Sequence, residues 1–121
     1  MKITAIELEE KDILNILTDT LETNAVGYWA QYQDWKRLPD DDSDMALCVT
    51  RISIKEMNDD ETDYTIPHEI DRETIIKGVE RIVKGEVDAP RIREMILNDD
   101  IDSDGADCIV QAGLFNEIKY G

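Results

Sequence analysis

Closely spaced carboxylates are the groups in this chain with the clearest capacity for chemistry. Residues 38–63 contain nine acidic residues and two basic ones, and residues 98–107 contain five acidic residues and no basic one. Residues 64–97 are nearly balanced, with seven acidic and six basic residues. The acidic excess is therefore concentrated in runs. Carboxylates at this density repel one another and attract cations, either metal ions or the lysines and arginines of a basic protein surface.

We predict that these runs contact a basic partner, because clustered carboxylates can meet the Lys and Arg side chains of a nucleic-acid-binding groove in place of phosphate. We also predict that two tryptophans contact this partner, since their rings provide a large contact area. The candidate partner-binding residues are Asp40, Asp41, Asp42, Asp44, Asp59, Asp60, Glu61, Asp63, Asp99, Asp100, Asp102, Asp104, Trp29 and Trp35. The alternative for the aromatic segment 28–35 is burial in the core, and the sequence leaves both open.

Residues 100–105 also match the first half of a calcium-binding loop, with acids at its first, third and fifth positions and glycine at the sixth. The second half departs from the pattern. Gln111 stands at the twelfth position, where a bidentate Glu completes the ligand set, and Cys108 stands at the ninth. We expect a helix-capping loop with no resident metal or cofactor, and keep a calcium-binding module through residues 100–111 as an alternative.

Catalytic patterns are missing around the other polar residues. His68, the one histidine of the chain, is expected in a turn before a helix, and no serine or cysteine near it has the context of a nucleophile. The sequence has no glycine-rich phosphate loop, and its net charge of -16 would repel a phosphodiester substrate. We predict that the protein is not an enzyme.

The same net charge of -16 on 121 residues disfavours direct binding to nucleic acid or to an anionic membrane surface. Acidic residues interrupt the apolar positions near the start, so no signal peptide is expected. Cys48 and Cys108 have apolar neighbours, which indicates two buried free thiols rather than a disulfide or a zinc site. We expect a soluble cytoplasmic protein, and the sequence leaves its oligomeric state open.

Helices are predicted where apolar residues recur at helical spacing. The first covers about residues 9–22. The second begins after an N-cap at Asp71 and ends before Gly85, a third starts with Asp88 and Pro90, and the last follows a cap within residues 102–104.

Strands are predicted by β-branched residues in segment 46–57, which pairs with residues 64–66 as a hairpin. The first two acidic runs would then lie at opposite ends of that strand. A strand or helix start at residues 2–8 and a terminal strand at residues 118–120 are also expected. The fold class is α+β: one domain, residues 1–121, with about four helices packed on a small antiparallel sheet.

The C-terminal residues 104–121 combine an acidic start with Gln111, an apolar stretch and a final Tyr-Gly pair. This segment resembles the closing segment of small uncharacterised proteins encoded by phages and other mobile elements, and residues 27–30 resemble a second short element of those proteins. The sequence departs from their pattern at Gly113, where they have Ala, and at Asn116, where they have Gly. The resemblance implies no catalytic residues.

A phage context favours one function by analogy, because phages use small acidic proteins, including anti-CRISPR and anti-restriction factors, to occupy nucleic-acid-binding surfaces of host defence proteins. The resulting hypothesis is a nucleic-acid mimic that inhibits a host defence nuclease complex. The remaining alternative is a structural or regulatory interaction subunit whose acidity serves solubility.

Overall fold

The computed structural model describes residues 8–121, and the chain forms four helices and three strands in this range. The prediction for residues 2–8 therefore lies outside the described residues, apart from residue 8. The helices are α1 (Glu10–Glu22), α2 (Arg72–Val83), α3 (Pro90–Leu97) and α4 (Ser103–Phe115). The strands are β1 (Ala30–Arg37), β2 (Val49–Met57) and β3 (Tyr64–Asp71). The predicted α+β class is confirmed.

The three strands form one antiparallel sheet in the order β1-β2-β3. The predicted hairpin corresponds to β2 and β3, although β3 is longer than expected and continues to the cap of α2. Buried Ile52 and Ile54 alternate along β2 with the partly or fully exposed Ser53 and Lys55, which is the pattern of a sheet with one covered face. Strand β1 was not predicted.

Helices α1, α2 and α4 pack on the covered face of the sheet, and α3 packs against α2 and α4. Two of the predicted caps are confirmed: the side chain of Asp71 accepts a hydrogen bond from the N–H of Thr74, and that of Asp102 accepts one from the N–H of Gly105. Each cap satisfies an N–H group that has no partner within its helix.

Helices α2 and α4 approach each other through two glycines. A Cβ atom added to Gly78 would lie 2.0 Å from the carbonyl oxygen of Ile109, and one added to Gly113 would lie 2.1 Å from the carbonyl oxygen of Thr74. These contacts are with backbone atoms. The glycines therefore allow the two helix backbones to touch, which fixes the position of α4 above the sheet.

The predicted strand at residues 118–120 is wrong, because this segment is irregular. Asn116 ends α4 in the left-handed conformation, with φ of 58°. The backbone of Tyr120 then binds the side chain of Gln111: its N–H donates to Oε1 (2.8 Å), and its carbonyl accepts from Nε2 (3.3 Å). Since a side-chain amide satisfies both backbone groups, the segment needs no neighbouring strand.

Candidate functional site

The first acidic run forms the connection between β1 and β2. Its candidate residues, all exposed, are Asp40, Asp41, Asp42 and Asp44. The N–H of Ser43 donates to Oδ1 of Asp41 (2.8 Å), and hydrogen bonds from the side chain and backbone of Ser43 lower the pKa of this carboxyl. Asp44 lies 3.9 Å from Nζ of Lys11, and both side chains are exposed, so this pair neutralises little charge.

The second acidic run forms the connection between β2 and β3. Its candidate residues, also exposed, are Asp59, Asp60, Glu61 and Asp63. Asn58 organises the turn, because its side-chain Oδ1 accepts from the N–H of Thr62 (2.9 Å) and its own N–H donates to the carbonyl of Asp63 (2.8 Å). The carboxylates of Asp59, Asp60 and Glu61 are thus carried on a turn that is held by other groups.

The third acidic run precedes and begins α4. Its candidate residues, exposed as well, are Asp99, Asp100, Asp102 and Asp104. Two of them already have an internal role: Asp102 caps the helix, and Asp104 lies 3.5 Å from the guanidinium group of Arg91. Both side chains of the Asp104–Arg91 pair are exposed, so this pair, like that of Asp44, neutralises little charge.

In the structure, residues 100–111 do not follow the path of a calcium-binding loop. Helix α4 begins at Ser103, so most of the pattern lies within a helix and cannot wrap around an ion. Asp107 and Gln111 of this pattern are buried and hydrogen-bonded inside the protein. Among residues 8–121, no group of three or more His, Cys, Asp or Glu side chains is arranged to hold a metal ion.

The first two acidic runs lie at opposite ends of β2, as the sequence predicts. The nine residues of this strand span about 27 Å at roughly 3.4 Å per residue. The sheet therefore holds two groups of carboxylates apart, and they do not form one cluster.

The two tryptophans differ in exposure. Trp35 is 45% exposed on β1, but Trp29 is 0% exposed. The structure removes Trp29 from the candidate contact residues, because its indole is stacked on the ring of Tyr120 and packed edge-on against Phe115. Trp29 is a core residue, and Trp35 keeps its place in the candidate surface.

A buried polar cluster surrounds Asp107, which is 6% exposed. Oδ1 of Asp107 accepts from Nε1 of Trp29 (2.9 Å) and from Nε2 of Gln111 (2.9 Å), and Oδ2 accepts from the hydroxyl of Tyr28. Burial, followed by the hydrogen bond to Asp107, raises the pKa of Tyr28, so the hydroxyl remains a donor at neutral pH. No atom of this cluster lacks a partner.

A second buried carboxylate, Glu56, is 2% exposed. Nζ of Lys119 (2.7 Å) and the hydroxyl of Tyr120 (2.5 Å) donate to its Oε2, and Nε2 of His68 lies 2.8 Å from its Oε1. Burial raises the pKa of Glu56, but the three hydrogen bonds outweigh burial and the pKa is lowered overall. His68 lies within β3 and not in the turn that the sequence predicted.

Neither polar cluster was predicted from the sequence, although the sequence contains one indication of the cluster around Asp107. Asp107 and Gln111 stand four residues apart in the otherwise apolar α4, so they share one helix face with the core. Residues 27–30 and the C-terminal residues 104–121 meet in this cluster, because Tyr28 and Trp29 both donate hydrogen bonds to Asp107. We interpret that cluster as structural, because its donors and acceptors are satisfied within the protein.

Both cysteines are free thiols. Cys48 is buried, and Cys108 is half-buried. Burial, together with the charge of Asp107, raises the pKa of Cys108 to about 11, so its thiol is protonated at neutral pH and is a poor nucleophile.

Within residues 8–121, no helix combines the length and the apolar character needed to cross a bilayer. Comparison of the chain with known proteins finds no matching family model, no matching curated protein and no matching solved structure. The function must therefore be inferred from the residues themselves.

Proposed function

We propose that this protein is a non-enzymatic binding protein whose acidic loops occupy a basic surface of a host protein, in the manner of a nucleic-acid mimic. One observation carries the proposal. All eight candidate carboxylates in the two sheet loops are exposed, and within residues 8–121 only Asp44 among them has an ion-pair partner. Their charge is therefore free to act on a second molecule.

The ion pairs that the basic residues of the chain form also support this proposal. Arg51 binds Glu69 (2.8 Å), Arg72 binds Glu10 (2.7 Å) and Lys119 binds Glu56 (2.7 Å). These pairs lie in helices, in strands or in the C-terminal segment. The three shortest Lys and Arg ion pairs among residues 8–121 thus involve carboxylates outside the two sheet loops, and the one pair that involves a loop carboxylate, Lys11–Asp44, is long and exposed.

The spacing of the loops fits an extended basic groove. A separation of about 27 Å along β2 is somewhat shorter than one turn of duplex DNA, roughly 34 Å. A protein that grips phosphates over most of a helical turn would present basic residues at both positions. Such a groove, in a nucleic-acid-binding component of a defence nuclease complex, is the partner we assign.

Association through exposed charge has a defined salt dependence. Carboxylates on a protein of net charge -16 would steer a basic partner at low salt, and ions would screen the attraction over about 8 Å at physiological ionic strength. Binding should therefore weaken steeply as salt is raised. Duplex DNA should compete with this protein for the same partner.

The experiment is capture from host lysate by the immobilised protein at low and at high salt, followed by elution with duplex DNA. The loop variant carries Asp41→Lys, Asp42→Lys, Asp59→Lys and Asp60→Lys. A matched control carries the same change of charge on exposed residues outside the loops, namely Glu22→Lys, Glu86→Lys, Glu94→Lys and Glu117→Lys. Circular dichroism establishes that each variant folds.

We expect the native protein and the control variant to capture the same basic protein, and salt and DNA to release it. The loop variant should capture none. Equal loss in both variants would mean that only net charge matters, as expected if acidity serves solubility. Capture that survives in the loop variant, or that duplex DNA cannot displace, would exclude mimicry.

A further inference from the structure

Strand β1 is an edge of the sheet with an exposed surface. Among residues 8–121 it pairs with β2 alone, and its last five residues, 33–37, are all exposed. Trp35 is 45% exposed at this edge. An edge strand presents N–H and carbonyl groups to which another extended chain can add.

The residues around Trp35 have a self-complementary pattern of charge. Asp34 precedes the tryptophan and Lys36 follows it. If two copies of β1 lie antiparallel with Trp35 opposite Trp35, then Asp34 of each copy lies opposite Lys36 of the other. Directly opposed residues in antiparallel strands have neighbouring side chains on the same face, where opposite charges attract.

Lys36 and the backbone N–H of Trp35 are both suited to contact a second copy of β1. Lys36 lies opposite Arg51 in the sheet, so two cations are neighbours, and within the described residues Lys36 has no ion pair. The N–H of Trp35 donates to Oδ1 of Asp34 (2.8 Å), which means that this strand N–H uses a carboxylate of its own chain. A second strand could take over that N–H and leave Asp34 free to bind lysine.

We propose that two copies of this chain associate through β1, antiparallel about a two-fold axis at Trp35, into a continuous six-stranded sheet. The Trp35 rings form the centre of the contact, and the two Asp34–Lys36 pairs fix its register. The proposal is independent of the function proposed above, because β1 lies outside the acidic loops.

The net charge gives this association a distinctive salt dependence. Two copies of net charge -16 repel each other, and salt screens that long-range repulsion more effectively than it weakens two short contacts. The dimer should therefore become more stable as salt is raised. Capture of a basic partner should show the opposite dependence, so the two proposals can fail separately.

Sedimentation velocity over a range of protein concentrations, at low and at high salt, tests the proposal on the full chain. The variants are Asp34→Lys, Lys36→Asp and the double variant that exchanges the two charges. Asp60→Lys is the matched control, because it makes the same charge change as Asp34→Lys in an exposed loop away from β1. Circular dichroism checks folding, and tryptophan fluorescence reports burial of Trp35, since Trp29 is already buried.

We expect the native chain to dimerise as concentration and salt rise, with a blue shift of fluorescence. Each single charge reversal should weaken the dimer about tenfold or more, and the exchanged double variant should regain it. A native chain that stays monomeric at every salt and concentration would overturn the proposal. A dimer strengthened by Asp34→Lys would also overturn it, because Asp34 would then serve only to protect the strand edge.

Discussion

The hydroxyl of Tyr120 donates a hydrogen bond to the buried carboxylate of Glu56, 64 positions away in the sequence. The tyrosine ring stacks on Trp29 at a centroid distance of 5.2 Å, and the tyrosine backbone binds Gln111. Burial, followed by the hydrogen bond to Glu56, raises the pKa of Tyr120, so the hydroxyl is protonated at neutral pH. A single residue thus connects the C-terminal segment to β2, to the core and to α4.

Tyr120→Phe should reduce the free energy of unfolding by about 1.5–3 kcal/mol, since it removes a hydrogen bond to a charged and buried acceptor but keeps the stacked ring. Urea denaturation measures the change. Tyr64→Phe is the control, because the described residues offer no hydrogen-bond partner to the Tyr64 hydroxyl, and it should change stability by less than about 0.5 kcal/mol. Equal effects of the two variants would show that the bond to Glu56 contributes nothing specific.

Stability should fall in acid because the carboxyl of Glu56 has a pKa below its ordinary value of 4.5. The folded state binds the proton less tightly than the unfolded state does, so this contribution is complete above the unfolded pKa and is lost as the pH falls through the folded pKa. Urea midpoints measured from neutral pH down into this acidic window should therefore decrease.

Glu56→Gln provides the comparison for the acid dependence. The variant should be less stable at neutral pH by about 2–3 kcal/mol, because Lys119 loses its charged partner. It should also lose less stability than the native protein on acidification. If the stability of both proteins fell equally with pH, Glu56 would not be the source of the acid dependence. Other carboxyls with a lowered pKa, such as Glu10 and Glu69, would then be the candidates.

Asp107→Ala should destabilise the fold by about 2–3 kcal/mol, since it leaves the buried indole N–H of Trp29 and part of the Gln111 amide without an acceptor. Thermal or urea unfolding measures the loss. The control is Asp104→Ala, one turn earlier on α4, where the side chain is exposed and its ion pair with Arg91 is long.

Coupling to Trp29 makes the Asp107 prediction specific. In a double-mutant cycle, Trp29→Phe and Asp107→Ala should be clearly non-additive, because both remove the same hydrogen bond. Additive effects of the two substitutions would mean that the hydrogen bond between them does not contribute to stability.

The sequence predicted the elements whose signals are local. Apolar periodicity and capping residues gave the four helices, and β-branched residues gave the hairpin of β2 and β3. Strand β1 was missed because six of its eight residues are exposed and only its start contributes to the core. An edge strand with so little burial has no clear alternation of apolar and polar residues.

The polar clusters could not be derived because their partners are distant in sequence. Asp107 meets Trp29 across 78 positions, and Lys119 meets Glu56 across 63. A buried carboxylate is stable only where the fold brings several donors to it. The helical spacing of Asp107 and Gln111 indicates that they share a face, but it does not identify the donors.

Gly113→Ala tests the close contact between α2 and α4, and two effects of opposite sign compete. Helix propensity alone favours Ala over Gly by about 1 kcal/mol. The new Cβ would lie 2.1 Å from the carbonyl oxygen of Thr74, and moving a helix backbone to relieve such a clash typically costs about 1–3 kcal/mol. We expect the clash to prevail, and Gly78→Ala to act in the same direction because its Cβ would meet the Ile109 carbonyl.

Denaturation of both glycine variants, with Lys77→Ala on the exposed side of α2 as the control, measures the outcome. Both glycine variants should be less stable than the native protein, and the control should be nearly unchanged. A stabilised Gly113→Ala variant would show that α4 can move away from α2 without loss of packing, and that the glycine is not what holds the two backbones in contact.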